Sequence, residues 1–386
     1  MTGGRAGGRA GGWAGGQAGG REIASFVAVV LLTAGPAARL SAQDSQFGIR
    51  GLGTPGKWES VRARSTGGAF APFDPFSSLT DAALIDMRRM SGSVTGALSR
   101  RTVDIGGTET PLRGTRFPVF VIGGPIGRRL VVGGGFSTYL DRTYGISTSD
   151  TIVVRGDTIP VTDAVTSDGA VSDLRVALAA RVNRWLTVGG GFHLLTGSTR
   201  VVATREFGDT SYRNTTARDQ VSYEGEAASV SALLDLTSGL RVSGWFRADS
   251  KLRADIRGKT VAENDLPNSY GTALLWRPGA QFALAGSATW RDWTASAPNG
   301  HNTFNWTAGA ELGSPGTGFR LGARGGQMPF GAGPEAPTEF GVSAGLGKQF
   351  SGGRGRIDFG VERLERKGSG LSEHVWTFLL GLTVRP

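Results

Sequence analysis

Few residues in this sequence could do covalent chemistry. There is no cysteine, so thiolate nucleophiles, thiolate metal sites and disulfides are all excluded. Three histidines remain. A hydrolytic centre needs one of them beside a hydroxyl nucleophile, with an acid behind it. His193 has Ser198 five residues further on in an alternating stretch. Five strand residues span about 16 Å at about 3.3 Å each, so these two form no local dyad. His301 and His374 sit in or beside turn-rich stretches. The acids of DTIPVTD and NDLPN match no calcium-loop spacing. GGRG at 352–355 lacks the strand-to-helix setting of a phosphate loop. Arg155-Gly156-Asp157, between TIVV and TIPV, reads as a hairpin turn rather than an adhesion motif. The expectation is a protein that is not an enzyme, with no metal and no cofactor.

Composition points away from a soluble α/β protein. Charged residues make up 19% of the 386, and 63 are glycine. The net charge of +10 is spread along the chain without a basic run, so nucleic acid is not an expected partner. Residues 1–20 are Gly/Ala-rich low complexity. Arg21, the apolar run from Ile23 to Ala34 and the small-residue pattern Leu40-Ser41-Ala42 have the order of a secretory signal peptide. That assigns 1–42 to a leader, cleaved near Ala42 or Gln43.

From residue 91 onward the chain alternates with period two, in about fourteen segments from 91–105 to 374–384. Val176, Leu178, Ala180 and Val182 share one face, opposite Arg175, Ala177, Ala179 and Arg181. Trp376, Phe378, Leu380, Leu382 and Val384 face away from Thr377, Gly381 and Thr383. Short connections such as Arg184-Trp185 and Thr237–Gly239 alternate with long ones such as 143–171 and 258–267. An even-numbered antiparallel meander with its tight turns at one end is the plan of a transmembrane β-barrel. In hydrocarbon every backbone group must be paired, so the sheet has to close. The apolar face then meets lipid and the small, polar face meets the lumen. Trp185, Trp276, Phe319 and Phe350 fall near one rim, and Tyr270, Trp290, Trp306, Phe340 and Trp376 near the other, as interfacial aromatic girdles do. The fold class is therefore all-β: an up-and-down antiparallel barrel over 91–386. Pro118 interrupts the second strand, where a ladder donor is lost.

Residues 43–90 precede the barrel and carry Phe70, Phe73 and Phe76. A sealed barrel of this size has a lumen that needs filling. The segment is expected to fill it as a plug, with Leu79, Ala82, Ala83 and Leu84 on a short helix, or else to pack beneath the barrel as a periplasmic arm.

GIRGLGTPG at 48–56, Gly67-Gly68-Ala69-Phe70, RVNRWLTVGGG at 181–191, LPNSYGTALLWRP at 266–278 and RDW at 291–293 occur in an order that resembles the FadL-type outer-membrane transporters. Thr80-Asp81-Ala82-Ala83 stands where that family has an Asn-Pro step in its hatch. The resemblance implies a hatch-closed barrel in a Gram-negative-type outer membrane, inserted by the outer-membrane assembly machinery. It implies uptake of long-chain fatty acids or other hydrophobic or amphipathic molecules, released sideways into the lipid through a kink in the third strand. Gly133, Gly134 and Gly135 are the candidates for that kink. By luminal parity Trp245 and Leu275 are expected to line the ligand pocket with Phe70, Phe73, Phe76 and Leu79, while Arg247 pairs with a carboxylate headgroup. Two other readings share the architecture: a PorV-like interaction barrel of a secretion system, and a diffusion porin.

Overall fold

The computed structural model describes residues 45–105, 108–314, 317–331, 333–368 and 370–386. The leader and signal peptide assigned to 1–42 lie outside the described residues. Fourteen antiparallel strands form a closed barrel. In chain order they are β1 Ser91–Ile105, β2 Thr108–Pro125, β3 Leu130–Asp141 with its continuation Tyr144–Val154, β4 Asp157–Arg181, β5 Leu186–Phe207, β6 Thr215–Thr237 and β7 Leu240–Asp249, continued by Lys251–Ile256. There follow β8 Lys259–Asp265 with Ser269–Gly279, β9 Phe282–Asp292, β10 Asn302–Ser314, β11 Thr317–Gln327, β12 Thr338–Phe350, β13 Gly355–Gly368 and β14 Leu371–Val384. The sheet closes where β14 pairs with β1, from Leu371 opposite Ile105 to Val384 opposite Gly92.

The alternation sorts side chains as the sequence implies. Along β14, Trp376 and Phe378 are 44% and 55% exposed while Thr377 between them is 4% exposed. On β4, Leu174, Val176 and Leu178 face out, and Arg175, Ala177 and Ala179 are buried inside. Apolar groups outside and charges inside is the reverse of a soluble protein, and it suits a hydrocarbon surround. The reversal between β4 and β5 is set by Asn183, whose side-chain oxygen accepts from the N–H groups of Trp185 at 2.9 Å and Leu186 at 2.8 Å. That local turn leaves Trp185 exposed at the rim. Pro118 is accommodated at a bulge: Thr95 pairs with Val119 and Ala97 with Arg116, so Phe117 and Pro118 together oppose Gly96. An unpaired bulge position tolerates the missing donor.

Residues 147–165 and 202–218 form a small compact unit of their own. Within it Arg155 and Gly156, both with positive φ, make the hairpin turn. Arg205 is held by both carboxylate oxygens of Asp163. Much of the connection 143–171 is therefore strand, as its β-branched run TIVV favours.

Residues 45–90 pack against the inward face of the barrel strands. Their regular pieces are short: the bridge of Thr54–Pro55 to Leu140–Asp141, helix α1 at Val61–Arg64, and 3-10 turns at Ala71–Phe73 and Ala82–Asp86. The last includes Ala82, Ala83 and Leu84, expected on a helical turn. Ser60 caps α1, its hydroxyl accepting from the Ala63 N–H at 3.2 Å. Contact with the wall is backbone to backbone in places. A Cβ on Gly322 of β11 would lie 1.9 Å from the Thr66 carbonyl carbon, and Gly67 needs both its φ of +68° and its open side against Ala323.

Candidate functional site

Charged side chains line the interior in complementary rows. Lys57, Arg62 and Arg64 of the inner segment meet Glu339, Glu311 and Glu362 of β12, β10 and β13. Arg320 bridges Glu311 at 2.9 Å and Asp358 at 2.7 Å, and Arg366 reaches Glu339 at 2.8 Å. Alternation alone puts the strand residues among these inside. Their pairing follows from which strands are neighbours. Burial, aided by Arg324, pushes the Lys57 ammonium below its ordinary value, while Glu339 pulls it back.

Four of these groups, Lys57, Arg324, Glu339 and Arg366, line a cavity of about 120 Å³ between the inner segment and β9–β13. Its apolar wall includes Trp58, Leu79, Trp293, Trp306 and Met328. Trp293 is buried against Phe330 in an edge-on pair at 5.4 Å, and its indole N–H has no hydrogen-bond partner among the described residues. Arg291 of β9 lies over the Trp58 ring at 4.4 Å. Among the described residues Arg291 has no carboxylate in contact, unlike the other arginines of this cavity, Arg324 and Arg366. The site can therefore enclose a small apolar body and offer one guanidinium and one indole N–H to a polar end.

The residues picked from parity are distributed differently. Phe70, Phe73, Trp245 and Leu275 come together in one buried cluster, with Leu79 against it, and this cluster is the packing between the inner segment and β6–β9. Of these, Leu79 also lines the cavity. Phe76 belongs to a second cluster with Leu84, Val121 and Val131. Arg247 is committed: its guanidinium pairs with Asp173 at 2.5 Å and Asp249 at 2.7 Å, over the Tyr139 ring. A headgroup would have to displace two carboxylates to reach it. The ladder runs through Gly133, Gly134 and Gly135 without a shift, because each pairs with both β2 and β4. Their missing side chains make room instead; a Cβ on Gly133 would lie 2.8 Å from Leu84. The irregularity in β3 falls later, at a register shift between Thr138 and Leu140. There the β2–β3 ladder ends, at Val119 opposite Ser137, and no further pairing joins these strands among the described residues. Arg116 spans the gap with its side chain, reaching Asp141 at 2.5 Å and Thr143 at 2.7 Å. A second cavity of about 110 Å³ borders this seam at Arg116, Pro118, Thr138 and Asp141, and shares Pro55, Gly56, Lys57 and Arg366 with the first.

Sequence reasoning passed over Trp58, Arg291 and Trp293 as site residues. Arg291 and Trp293 are two of the three residues of RDW, so their signal lay in the motif. Trp58 had none beyond its residue type.

Distance in sequence hid one further constellation. His193 Nδ1 donates to Asp173 at 2.9 Å, and its Nε2 is 2.8 Å from the Ser229 hydroxyl. That order matches a hydrolytic triad. Yet the Ser229 hydroxyl donates to Asp81 of the inner segment at 2.7 Å, and Asp81 also takes Arg175 at 3.2 Å. The cavity alongside holds about 30 Å³, room for water rather than an ester. The chain ties wall to segment.

A closed fourteen-strand antiparallel barrel with an apolar exterior and charged side chains facing inward defines the transmembrane β-barrel class. No family model matches the sequence, and no curated protein does. Among solved structures the chain has the fold of the Pseudomonas putida toluene transporter TodX, at 12% identity and a TM-score of 0.56, over 86% of this chain and 99% of that one. It has equally the fold of the CymD monoaromatic hydrocarbon channel, at 15% identity and a TM-score of 0.52, over 85% and 97%. Both belong to the FadL-type family that the sequence motifs resemble.

Proposed function

We propose that this protein carries small hydrophobic molecules of about one ring across the outer membrane, through a barrel plugged by residues 45–90. The aromatic cavity of about 120 Å³ carries this reading. A dry apolar cavity of about 150 Å³ accepts benzene, and a cavity of about 120 Å³ is of the size for a single ring. Transport of toluene and other monoaromatics by TodX and CymD, as their names state, supports the same size class. Burial against Trp58, Leu79 and Trp293 drives binding, at about 25 cal/mol per Å² of apolar surface. Arg291 adds a preference for ring compounds that bear an acid. The filled lumen favours a bound-ligand route over open diffusion. Exit is sideways, from the first cavity through the second and out between β2 and β3, where Arg116 bridges to Asp141 beyond the last ladder pair among the described residues. An outer-membrane setting follows from the lipid-facing exterior, with the short turns on the periplasmic side.

Tryptophan fluorescence of the detergent-solubilised protein tests the site. Toluene and 4-methylbenzoate should both quench it saturably. Trp58→Ala should weaken both, and Arg291→Met should weaken the acid alone. If Trp58→Ala binds toluene like the parent, the cavity is not the site.

A further inference from the structure

The end of the barrel that carries the short turns holds a separate cavity of about 470 Å³, the largest described. It is bordered by Ser60–Arg62, Phe73–Phe76, Asp86 and Arg88 of the inner segment. Seven arginines and four aspartates line it, a formal excess of three positive charges. The aspartates are already engaged. Asp86 and Asp235 both pair with Arg241, at 2.8 and 2.6 Å. Asp358 takes Arg320 and Arg356, at 2.7 and 3.0 Å. Asp74 is buried and accepts from the Ser60 and Ser77 hydroxyls. Four guanidiniums are left over: Arg88, Arg181, Arg277 and Arg385. None has a carboxylate in contact among the described residues, and Arg385 instead reaches the Gly353 carbonyl at 3.4 Å and lies 5.8 Å from the Phe76 ring. They come from four places that are distant in sequence: the end of the inner segment, the end of β4, the end of β8 and the C-terminus.

Cations without a carboxylate partner that face one polar cavity repel one another, and a guanidinium fork matches the paired oxygens of a carboxylate or phosphate. We propose that this cavity is a binding site for a small multivalent oxyanion, a polycarboxylate or a phosphate compound, presented to the periplasmic side. A charge of two or three on the ligand offsets the local excess, and a monovalent acid leaves most of it standing. Arg241, anchored to Asp86 of the inner segment and Asp235 of β6, forms part of the same wall. Occupancy therefore stabilises the seat of that segment by mass action. The site is independent of the aromatic cavity and shares no residue with it.

Calorimetric titration of the solubilised full chain with citrate and with pyrophosphate, at low ionic strength, tests this. One or both should bind saturably and raise the melting temperature, with acetate much weaker. Binding should fall at least about tenfold in Arg181→Gln/Arg277→Gln, since two charge-assisted contacts to the anion are lost. The same variant should keep its toluene quenching, which reports that the barrel is intact. Citrate binding alone marks a polycarboxylate site, and pyrophosphate binding alone a phosphate site. The proposal is overturned if neither anion binds saturably, or if the double variant binds them as the parent does.

Discussion

Removal of Glu362 measures how firmly the inner segment is seated. Glu362 is 1% exposed and is paired with Arg64 of α1, itself 4% exposed, and with Arg324 of β11. In Glu362→Ala, Arg324 still has Glu339 at 3.5 Å. Arg64 retains no carboxylate among the described residues. Breaking one side of a buried pair costs about 3–5 kcal/mol, because a charge is left unpaired in a dry place. The barrel ladders are untouched, so the least costly relief is for α1 to leave its seat and hydrate Arg64. At about 1.4 kcal/mol per decade, the displaced state gains about two to three and a half orders of magnitude in population. Two assays report it: current through a planar bilayer, and trypsin cleavage after Arg62 or Arg64 in detergent. The variant should flicker open and be cut, while the parent is silent and resistant. Arg64→Met/Glu362→Met should regain most of the protection, since it leaves no lone charge on α1. A Glu362→Ala protein as silent and as resistant as the parent would refute the idea that ion pairs hold the segment.

Three other outcomes are expected. Gly322→Val should displace the segment by steric means, since its Cβ falls 1.9 Å from the Thr66 carbonyl carbon; the loss in melting temperature should exceed that of Gly286→Val, where the nearest atom is 3.4 Å away. Arg116→Ala removes the only described side-chain tie to Asp141 across the β2–β3 gap and should speed toluene uptake into cells expressing the protein; unchanged uptake places release elsewhere. Burial pushes the Asp74 carboxyl above its ordinary value, against Arg62 and the hydrogen bonds from Ser60 and the Phe76 N–H. The folded state thus favours the protonated acid, and its stability falls as pH rises from the ordinary carboxylate range through the raised value. Asp74→Asn should flatten that slope in thermal melts and cost little at neutral pH.

Strand number, direction and facing were readable in the residues because each is local. A period of two needs no knowledge of distant partners, and a bilayer demands that every such strand be paired. Trp376 outward and Thr377 inward follow from that alone, as does the reversal at Asn183. Two long connections carry strand residues that a period-two reading leaves as loop, since a stretch such as 147–165 lacks the alternating apolar face that marks the other strands. What parity could not supply was distance across the lumen. Arg247 and Arg291 are both inward arginines on neighbouring parts of the wall. Only the packing shows that Asp173 and Asp249 saturate the first and that the second stands free over Trp58. Likewise Gly133–Gly135 offered flexibility on paper, yet the pairing breaks at Thr138–Leu140, where Thr54–Pro55 takes up the edge of β3. Local alternation determined the barrel; contacts between residues hundreds of positions apart decided how residues 45–90 pack on its inward face, where the ladder shifts register and which inward charges are paired.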